Sequence, residues 1–111
     1  MDIIVLKSKI TYAVLTGTQL HYEGSITIDE DILDRAHIRP YEQVQIVNIN
    51  NGERLITYAI KGERGSGIFE LNGPAARRGY VGDTIMILSY AQIKSSESLT
   101  PIIVNLKQTL S

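Results

Sequence analysis

The 111-residue sequence has a formal charge of −1, no cysteine and two histidines, and 43% of its residues are hydrophobic. This length fits one domain with a single packed core. The composition argues against nucleic-acid binding, disulfides, thiolate chemistry and a metal site built from Cys and His. No apolar run approaches the ~20 residues that cross a bilayer, and Asp2 stands where a signal peptide would be basic. We therefore expect a soluble cytoplasmic protein that contacts neither nucleic acid nor membrane.

The hydrophobic pattern indicates a mainly β domain of about seven short strands. Strands pack β-branched residues in short runs, and period-two alternation marks a half-buried strand. Such strands, joined by short turns, favour a closed barrel or a compact sandwich. Extended segments are predicted at 3–6, 9–16, 25–28, 43–48, 54–60, 68–71, 84–91 and 102–106, with a break at 16–18.

Two short helical turns interrupt the strands. Asp29 is a good N-cap for a helix that runs to about His37. We expect Pro40 to end this helix, because the residue before a proline is pushed out of the α region. Asn72 is predicted to cap a second turn that ends at Gly79.

A hairpin turn at Asn50-Asn51-Gly52 precedes the most informative strand. Successive side chains of a strand point to opposite sides, so one face of this strand differs from the other in chemistry. One face carries Arg54, Ile56 and Tyr58, and the other carries Leu55, Thr57 and Ala59.

Two sequence stretches resemble the pyruvoyl-dependent L-aspartate 1-decarboxylase family of pantothenate biosynthesis. They are HYEGSITID at 21–29 and TYAIKGERGSGIFELNG at 57–73. Gly24-Ser25 alone would be an ordinary turn dipeptide, but the resemblance extends from Lys9 to about Ser89. It implies a six-stranded double-psi β-barrel with short helices, assembled as a homotetramer whose sites lie at subunit boundaries.

In that family the protein is made as a zymogen and cleaves its own Gly–Ser bond. The resemblance therefore implies cleavage of the single domain 1–111 into fragments 1–24 and 25–111. The Ser25 hydroxyl attacks the carbonyl carbon of Gly24, β-elimination frees Gly24, and the remaining dehydroalanine hydrolyses to a pyruvoyl group. Gly24 lacks a Cβ, so we expect it to adopt a strained conformation that exposes its carbonyl. Thr57 matches the residue whose hydroxyl supports this processing and lies by the substrate.

The implied reaction is decarboxylation of L-aspartate to β-alanine and CO₂, with the pyruvoyl group as the covalent cofactor and no metal. The substrate amine forms a Schiff base with the pyruvoyl group, which accepts the electrons released by decarboxylation. Tyr58 matches the proton donor of the family. Arg54 suits a substrate carboxylate, because its planar fork makes two parallel hydrogen bonds, and Lys9 matches a second cationic position.

A loop of four residues matches the substrate-contacting loop of the family. It consists of Asn72, Gly73, Pro74 and Ala75. Backbone N–H groups at the start of a helical turn attract anions such as a carboxylate. Pro74 replaces the usual alanine and removes one of these donors.

Three positions near the motifs carry less information. Thr11 stands where many family members have histidine, so the contribution of that imidazole is absent here or supplied differently. Tyr22 matches a family aromatic residue beside the cleavage site. His21 could equally be a solvent-exposed strand residue.

Each assignment has an ordinary structural alternative. Thr57 could be a plain strand threonine, Tyr58 a core tyrosine with a hydrogen-bonded tip, and Lys9 a surface lysine. The whole chain could be a non-catalytic binding module, because this barrel is widely reused. It could also be a precursor that is inert until cleaved, and both spontaneous cleavage and cleavage aided by a maturation factor remain open.

Overall fold

The computed structural model describes residues 1–107. These residues form eight strands, one α-helix and one 3₁₀ helix. In chain order the elements are β1 Asp2–Val14, β2 Gly17–Gln19, β3 Ser25–Asp29, α1 Glu30–Ala36, β4 Gln43–Asn48, β5 Arg54–Gly62, β6 Phe69–Asn72, the 3₁₀ helix Gly73–Arg78, β7 Thr84–Lys94 and β8 Ile102–Asn105.

The strands form one sheet in the order β2-β6-β3-β5-β4-β7-β1-β8. One side of this sheet is the core: Ile10 of β1, Ile87 of β7 and Ile46 of β4 lie side by side in register and are fully buried. On β5, Ala59 is fully buried while Ile56 is 66% exposed, as the predicted alternation requires. The inward faces of neighbouring strands therefore meet in a single core.

The N-terminal segment differs from its prediction. We expected two strands separated near residue 7, whereas β1 is one strand of 13 residues. Its register against β7 shifts between Leu6 and Ser8 and again between Ile10 and Ala13. These irregularities interrupt the alternation that predicts a strand, yet they keep both halves paired with the same partner. The expected break at 16–18 is present but lies at residues 15–16, because β1 ends at Val14 and Gly17 begins β2.

The remaining strands confirm the predicted elements with small changes at their ends. β5 continues two residues beyond the predicted Ile60, to Gly62, and β7 continues three beyond Ala91, to Lys94. Eight strands are present where the resemblance implied six. Propensity leaves the ends of strands poorly defined, because pairing with a neighbour extends a strand beyond its apolar run.

The helix α1 begins and ends about where it was predicted to, but a different feature ends it. Asp29 is its N-cap, and its side chain accepts a hydrogen bond from the backbone N–H of Asp31. The helix ends at His37, which has a left-handed φ of 54° and donates its N–H to Asp34 O. This left-handed C-cap, and not Pro40, terminates the helix. Within residues 1–107, no helix combines the length and the apolar character needed to cross a bilayer.

The Asp29 carboxylate also holds the loop between β5 and β6. It accepts hydrogen bonds from the backbone N–H groups of Gly65 at 3.0 Å and Gly67 at 2.8 Å, both of which have a positive φ. Burial acts to raise the pKa of Asp29, but these N–H donors, that of Asp31 and the charge of Arg64 outweigh it and hold the pKa below its ordinary value. The end of β3 is thereby fastened to a loop 36 residues further along the chain.

We expect Asp29→Asn to reduce the loss of stability in acid. A carboxyl group whose pKa is lowered on folding stabilises the folded state fully when the pH is above the pKa of the unfolded chain, here near the ordinary value of 3.8. This stabilisation is lost as the pH falls through the pKa of the folded state. Chemical denaturation from about pH 5 down to about pH 2 should therefore show a smaller fall in the free energy of unfolding for the variant. The exposed Asp2 offers the control variant Asp2→Asn, which should follow the native protein; an equal slope in both variants would contradict the role of Asp29.

Candidate active site

Strand β3 lies between β5 and β6, and this arrangement positions Ser25. Ile26 is level with Ala59 in the parallel pair β3–β5, so Ser25, one residue earlier, is level with Tyr58. In the antiparallel pair β3–β6, Ser25 lies directly opposite Asn72. The sheet therefore brings together residues 47 positions apart in the chain.

The Ser25 hydroxyl is fully buried and has two hydrogen-bond partners. It donates to the carbonyl oxygen of Glu23 at 3.2 Å and accepts from Nδ2 of Asn72 at 2.9 Å. The same amide nitrogen donates to Oγ1 of Thr27 at 2.9 Å. Asn72 thus orients two hydroxyls of β3 from the neighbouring strand.

The predicted capping role of Asn72 is therefore wrong in its detail. Asn72 occupies the N-cap position of the 3₁₀ helix, but its side chain makes no capping hydrogen bond. Both hydrogens of the amide group are directed to hydroxyls of β3 instead. Capping propensity could not reveal this, because the competing acceptors come from another part of the chain.

Glycine is needed at Gly73, where the chain turns from β6 into the 3₁₀ helix. Its φ is +64°, and a Cβ built there would lie 2.9 Å from the backbone nitrogen of Gly24 and would also clash with the carbonyl oxygen of Tyr22. Gly24, where we expected strain, has no left-handed φ, and a Cβ there would make an ordinary 3.7 Å contact with Cδ of Pro74. The close approach of the chain to the Tyr22–Gly24 segment is thus made possible by Gly73.

A cavity of about 440 Å³ opens beside the Gly24-Ser25 bond. Five of the predicted site residues line it, and three further residues complete the wall. The predicted ones are Gly24, Thr57, Tyr58, Pro74 and Ala75, and the others are Leu55, Ile56 and Arg78.

Tyr58 also lines two further pockets. One of about 490 Å³ is shared with Tyr41 and Gln43, and another of about 430 Å³ is shared with Tyr41 and Tyr22. The ring centroids of Tyr41 and Tyr58 are 6.1 Å apart, with 35° between the planes. Tyr41 has a φ of +72° and donates its N–H to Ala59 O at 2.6 Å, and neither feature could be recognised from its sequence context.

Lys9 and Arg54, the two predicted cations, are not brought into this cavity. Arg54 begins β5 as an exposed residue, and it is absent from the eight residues that line the cavity. Lys9 pairs with Leu88 of β7, and Leu88 pairs in turn with Gln45 of β4. Gln45 then pairs with Ile56 of β5. Three strand spacings, roughly 14 Å along the sheet, therefore separate Lys9 from β5.

Two other positions from the sequence motifs also lie away from the cavity lining. Thr11 is on β1, level with Asn105 of β8. His21 is exposed in the turn between β2 and β3.

Arg78 is the charged lining residue that the sequence did not reveal. Its Nη1 donates to Oε2 of Glu53 at 2.7 Å and lies 3.5 Å from the carbonyl oxygen of Arg54. The sequence shows Arg77 and Arg78 side by side in a predicted helical turn, with nothing to indicate which one faces a cavity. Arg77 lines a different cavity, together with Tyr80.

Acidic and imidazole side chains do not form a metal site in the described part of the chain. Among residues 1–107, no group of three or more His, Asp or Glu residues is placed to hold a metal ion.

A family model described as aspartate decarboxylase matches residues 1–110. The chain belongs to the aspartate decarboxylase family. A relative from Coxiella burnetii named aspartate 1-decarboxylase is 60% identical over 96% of this chain and 97% of its own length. Relatives of the same name from Francisella tularensis subsp. holarctica and Leptospira biflexa are 56% and 54% identical, over 96% and 87% of this chain and 97% and 82% of their own lengths.

Solved structures show the fold of this aspartate decarboxylase family member. The rationally designed mkDPBB_sym_86 protein aligns with 69% of this chain and 90% of its own, with a TM-score of 0.52 at 13% identity. The computationally designed msDPBB_sym2 protein aligns with 78% of this chain and 96% of its own, with a TM-score of 0.50 at 15% identity. The fold is a double-psi β-barrel, as the resemblance implied.

We expect Gly73→Ala to disturb the Tyr22–Gly24 segment more than a positive φ alone explains. Gly52 has a comparable φ of +75°, and a Cβ added there would have no atom within 4 Å, so Gly52→Ala is a matched control for the backbone strain, about 1 kcal/mol. Gly73→Ala adds a collision with backbone atoms and should lower the free energy of unfolding further, by about 1–3 kcal/mol. Thermal unfolding of both variants measures this difference. An equal loss of unfolding free energy in the two variants would show that the close approach of Gly73 to the Tyr22–Gly24 segment does not affect stability.

Proposed function

We propose that this chain is a pyruvoyl-dependent L-aspartate 1-decarboxylase that forms β-alanine and CO₂ in the cytoplasm. The observation that carries the proposal is the buried Ser25, directly after Gly24, beside a cavity lined by Thr57 and Tyr58. Family membership and three relatives named aspartate 1-decarboxylase support the same reaction.

The surroundings of Ser25 fit the precursor of a pyruvoyl group. Both hydrogen-bond partners of its hydroxyl, a backbone carbonyl and a side-chain amide, are uncharged. A pyruvoyl group at residue 25 would supply a keto carbon for a primary amine and an acceptor for the electrons released when carbon dioxide leaves. The cavity of about 440 Å³ is large enough for a small amino acid.

Maturation needs the Ser25 hydroxyl to attack the carbonyl carbon of Gly24. Its proton is donated to Glu23 O at 3.2 Å, a long hydrogen bond that is easily given up for a new direction. The hydrogen bond from Asn72 does not use the hydroxyl proton, so it can persist during the attack. Thr57 lines the same cavity as Gly24, which supports a role for its hydroxyl in processing.

Tyr58 is proposed as the proton donor to the carbon that loses its carboxyl group. A half-buried phenol that lines the cavity can deliver a proton there. The loop formed by Asn72, Gly73, Pro74 and Ala75 is proposed to contact the substrate. Its two last residues line the cavity.

We propose that Lys9 and Arg54 bind substrate carboxylates in a homotetramer. Within one chain, roughly 14 Å of sheet lies between Lys9 and β5, which supports a site completed by Lys9 of a second copy. Exposed apolar residues on the strands that carry them support association, including Ile4 at 73% and Ile56 at 66% exposure. A maturation factor that aids cleavage is compatible with the exposed segment around His21 and Tyr22.

The central experiment measures chain mass and product together. We expect the purified protein to resolve into a fragment ending at Gly24 and a fragment beginning with a pyruvoyl-blocked residue 25, and to release β-alanine from L-aspartate. Ser25→Ala should remain one chain and inactive, because it has neither the attacking hydroxyl nor the oxygen lost on elimination. β-Alanine produced by protein that is wholly uncleaved by intact mass would refute the pyruvoyl assignment.

Tyr58→Phe should separate maturation from turnover. The acyl shift uses the serine hydroxyl, so we expect normal cleavage, whereas decarboxylation should fall about 10²–10⁴-fold without the general acid. Tyr90→Phe is the control, since Tyr90 donates its hydroxyl to Gln45 on β4 and does not line the cavity. Cleavage is followed by gel and turnover by carbon dioxide release. Normal turnover by Tyr58→Phe would remove the phenol from the reaction, and failure to cleave would assign it to maturation.

A further inference from the structure

We infer that Arg78 is a further substrate-binding residue, which holds the carboxylate that the amino acid retains after decarboxylation. The inference rests on the proposed function, because it assigns the substrate contact within the same cavity. It adds a residue that the sequence motifs do not contain, and it gives that residue a role distinct from the proton donor Tyr58.

Arg78 supplies the charge of the cavity. Of the eight described residues that line it, seven are neutral and Arg78 is cationic. A dicarboxylic amino acid whose amine is directed to residue 25 still has a carboxylate to place among these walls. A guanidinium is well suited to it, because its planar fork can make two parallel N–H···O bonds.

The guanidinium is oriented by its contacts on one side. Nη1 donates to Glu53 at 2.7 Å and lies 3.5 Å from Arg54 O. Within residues 1–107, no hydrogen bond is formed by Nε or Nη2, which leaves one edge of the fork for a ligand. Glu53 therefore fixes the direction of the side chain without occupying all of its donors.

The backbone of Arg78 is also held in place. Its carbonyl oxygen accepts from Nδ2 of Asn48 at 3.1 Å and from Nδ2 of Asn51 at 3.0 Å. Asn48 is 1% exposed and donates to Asp83 at 2.9 Å as well. The hairpin turn after β4 thus anchors the end of the 3₁₀ helix, and the head group of Arg78 extends from a fixed point.

The chemistry of the reaction indicates which carboxylate Arg78 holds. The carboxylate that leaves is lost as carbon dioxide, so only the retained carboxylate can be held by the same contact throughout the reaction. A contact to the retained carboxylate is equally strong in the bound ground state and in the transition state. It therefore lowers KM and leaves kcat nearly unchanged. This distinguishes Arg78 from Tyr58, whose loss should reduce kcat.

The test compares Arg78→Gln with the control variant Arg77→Gln. The control makes the same substitution one residue away, and Arg77 lines a different cavity. The Arg78–Glu53 pair is solvent-exposed, so Arg78→Gln should fold, and intact mass and thermal unfolding check folding and cleavage. We expect Arg78→Gln to raise the KM for L-aspartate about 10–100-fold, with kcat within about threefold of the native enzyme. Arg77→Gln should leave both constants unchanged.

Arg78→Lys keeps the charge but not the fork, and its KM should lie between those of the native enzyme and Arg78→Gln. If Arg78→Gln stays uncleaved, Arg78→Lys carries the comparison alone. A KM equal to that of Arg77→Gln, or a loss confined to kcat, would overturn the inference. Native enzyme that cleaves no bond and releases no β-alanine would instead refute the proposed function, so the two failures are distinguishable.

Discussion

Strand β3 is hydrogen-bonded to β5 along one edge and to β6 along the other, and the candidate site depends on this double pairing. The parallel register with β5 sets Ser25 level with Tyr58, and the antiparallel register with β6 sets it opposite Asn72. A shift of one residue in either pair would turn Ser25 to the other face of the sheet. The geometry of the site is therefore a consequence of register.

Both ends of β3 are fastened by contacts that oppose such a shift. At its C-terminal end, the Asp29 carboxylate binds the N–H groups of Gly65 and Gly67. At its N-terminal end, the backbone of Gly73 packs against the segment that precedes Ser25. One of these contacts is electrostatic and the other steric, so acid weakens the first and leaves the second intact.

Much of the fold could be predicted because its signals are local. The β-branched run of β3, the Asp29 cap and the hairpin at Asn50-Asn51-Gly52 need only neighbouring residues, and all three are present. The predictions for β1 and β2 differ from the structure for reasons that are not local. The register shifts of β1 and the pairing of β2 with β6 depend on distant strands, and propensity carries no information about them.

The sequence by itself determined the family, through the motifs around Ser25 and Tyr58, and the mainly β architecture, through short alternating runs. Only the tertiary structure decided which residues share a cavity. It excluded Lys9 and Arg54 from the lining within one chain and added Arg78, which local pattern could not separate from Arg77. The physical reason is that a strand or helical turn fixes the face of a side chain, whereas packing between elements decides what that face meets.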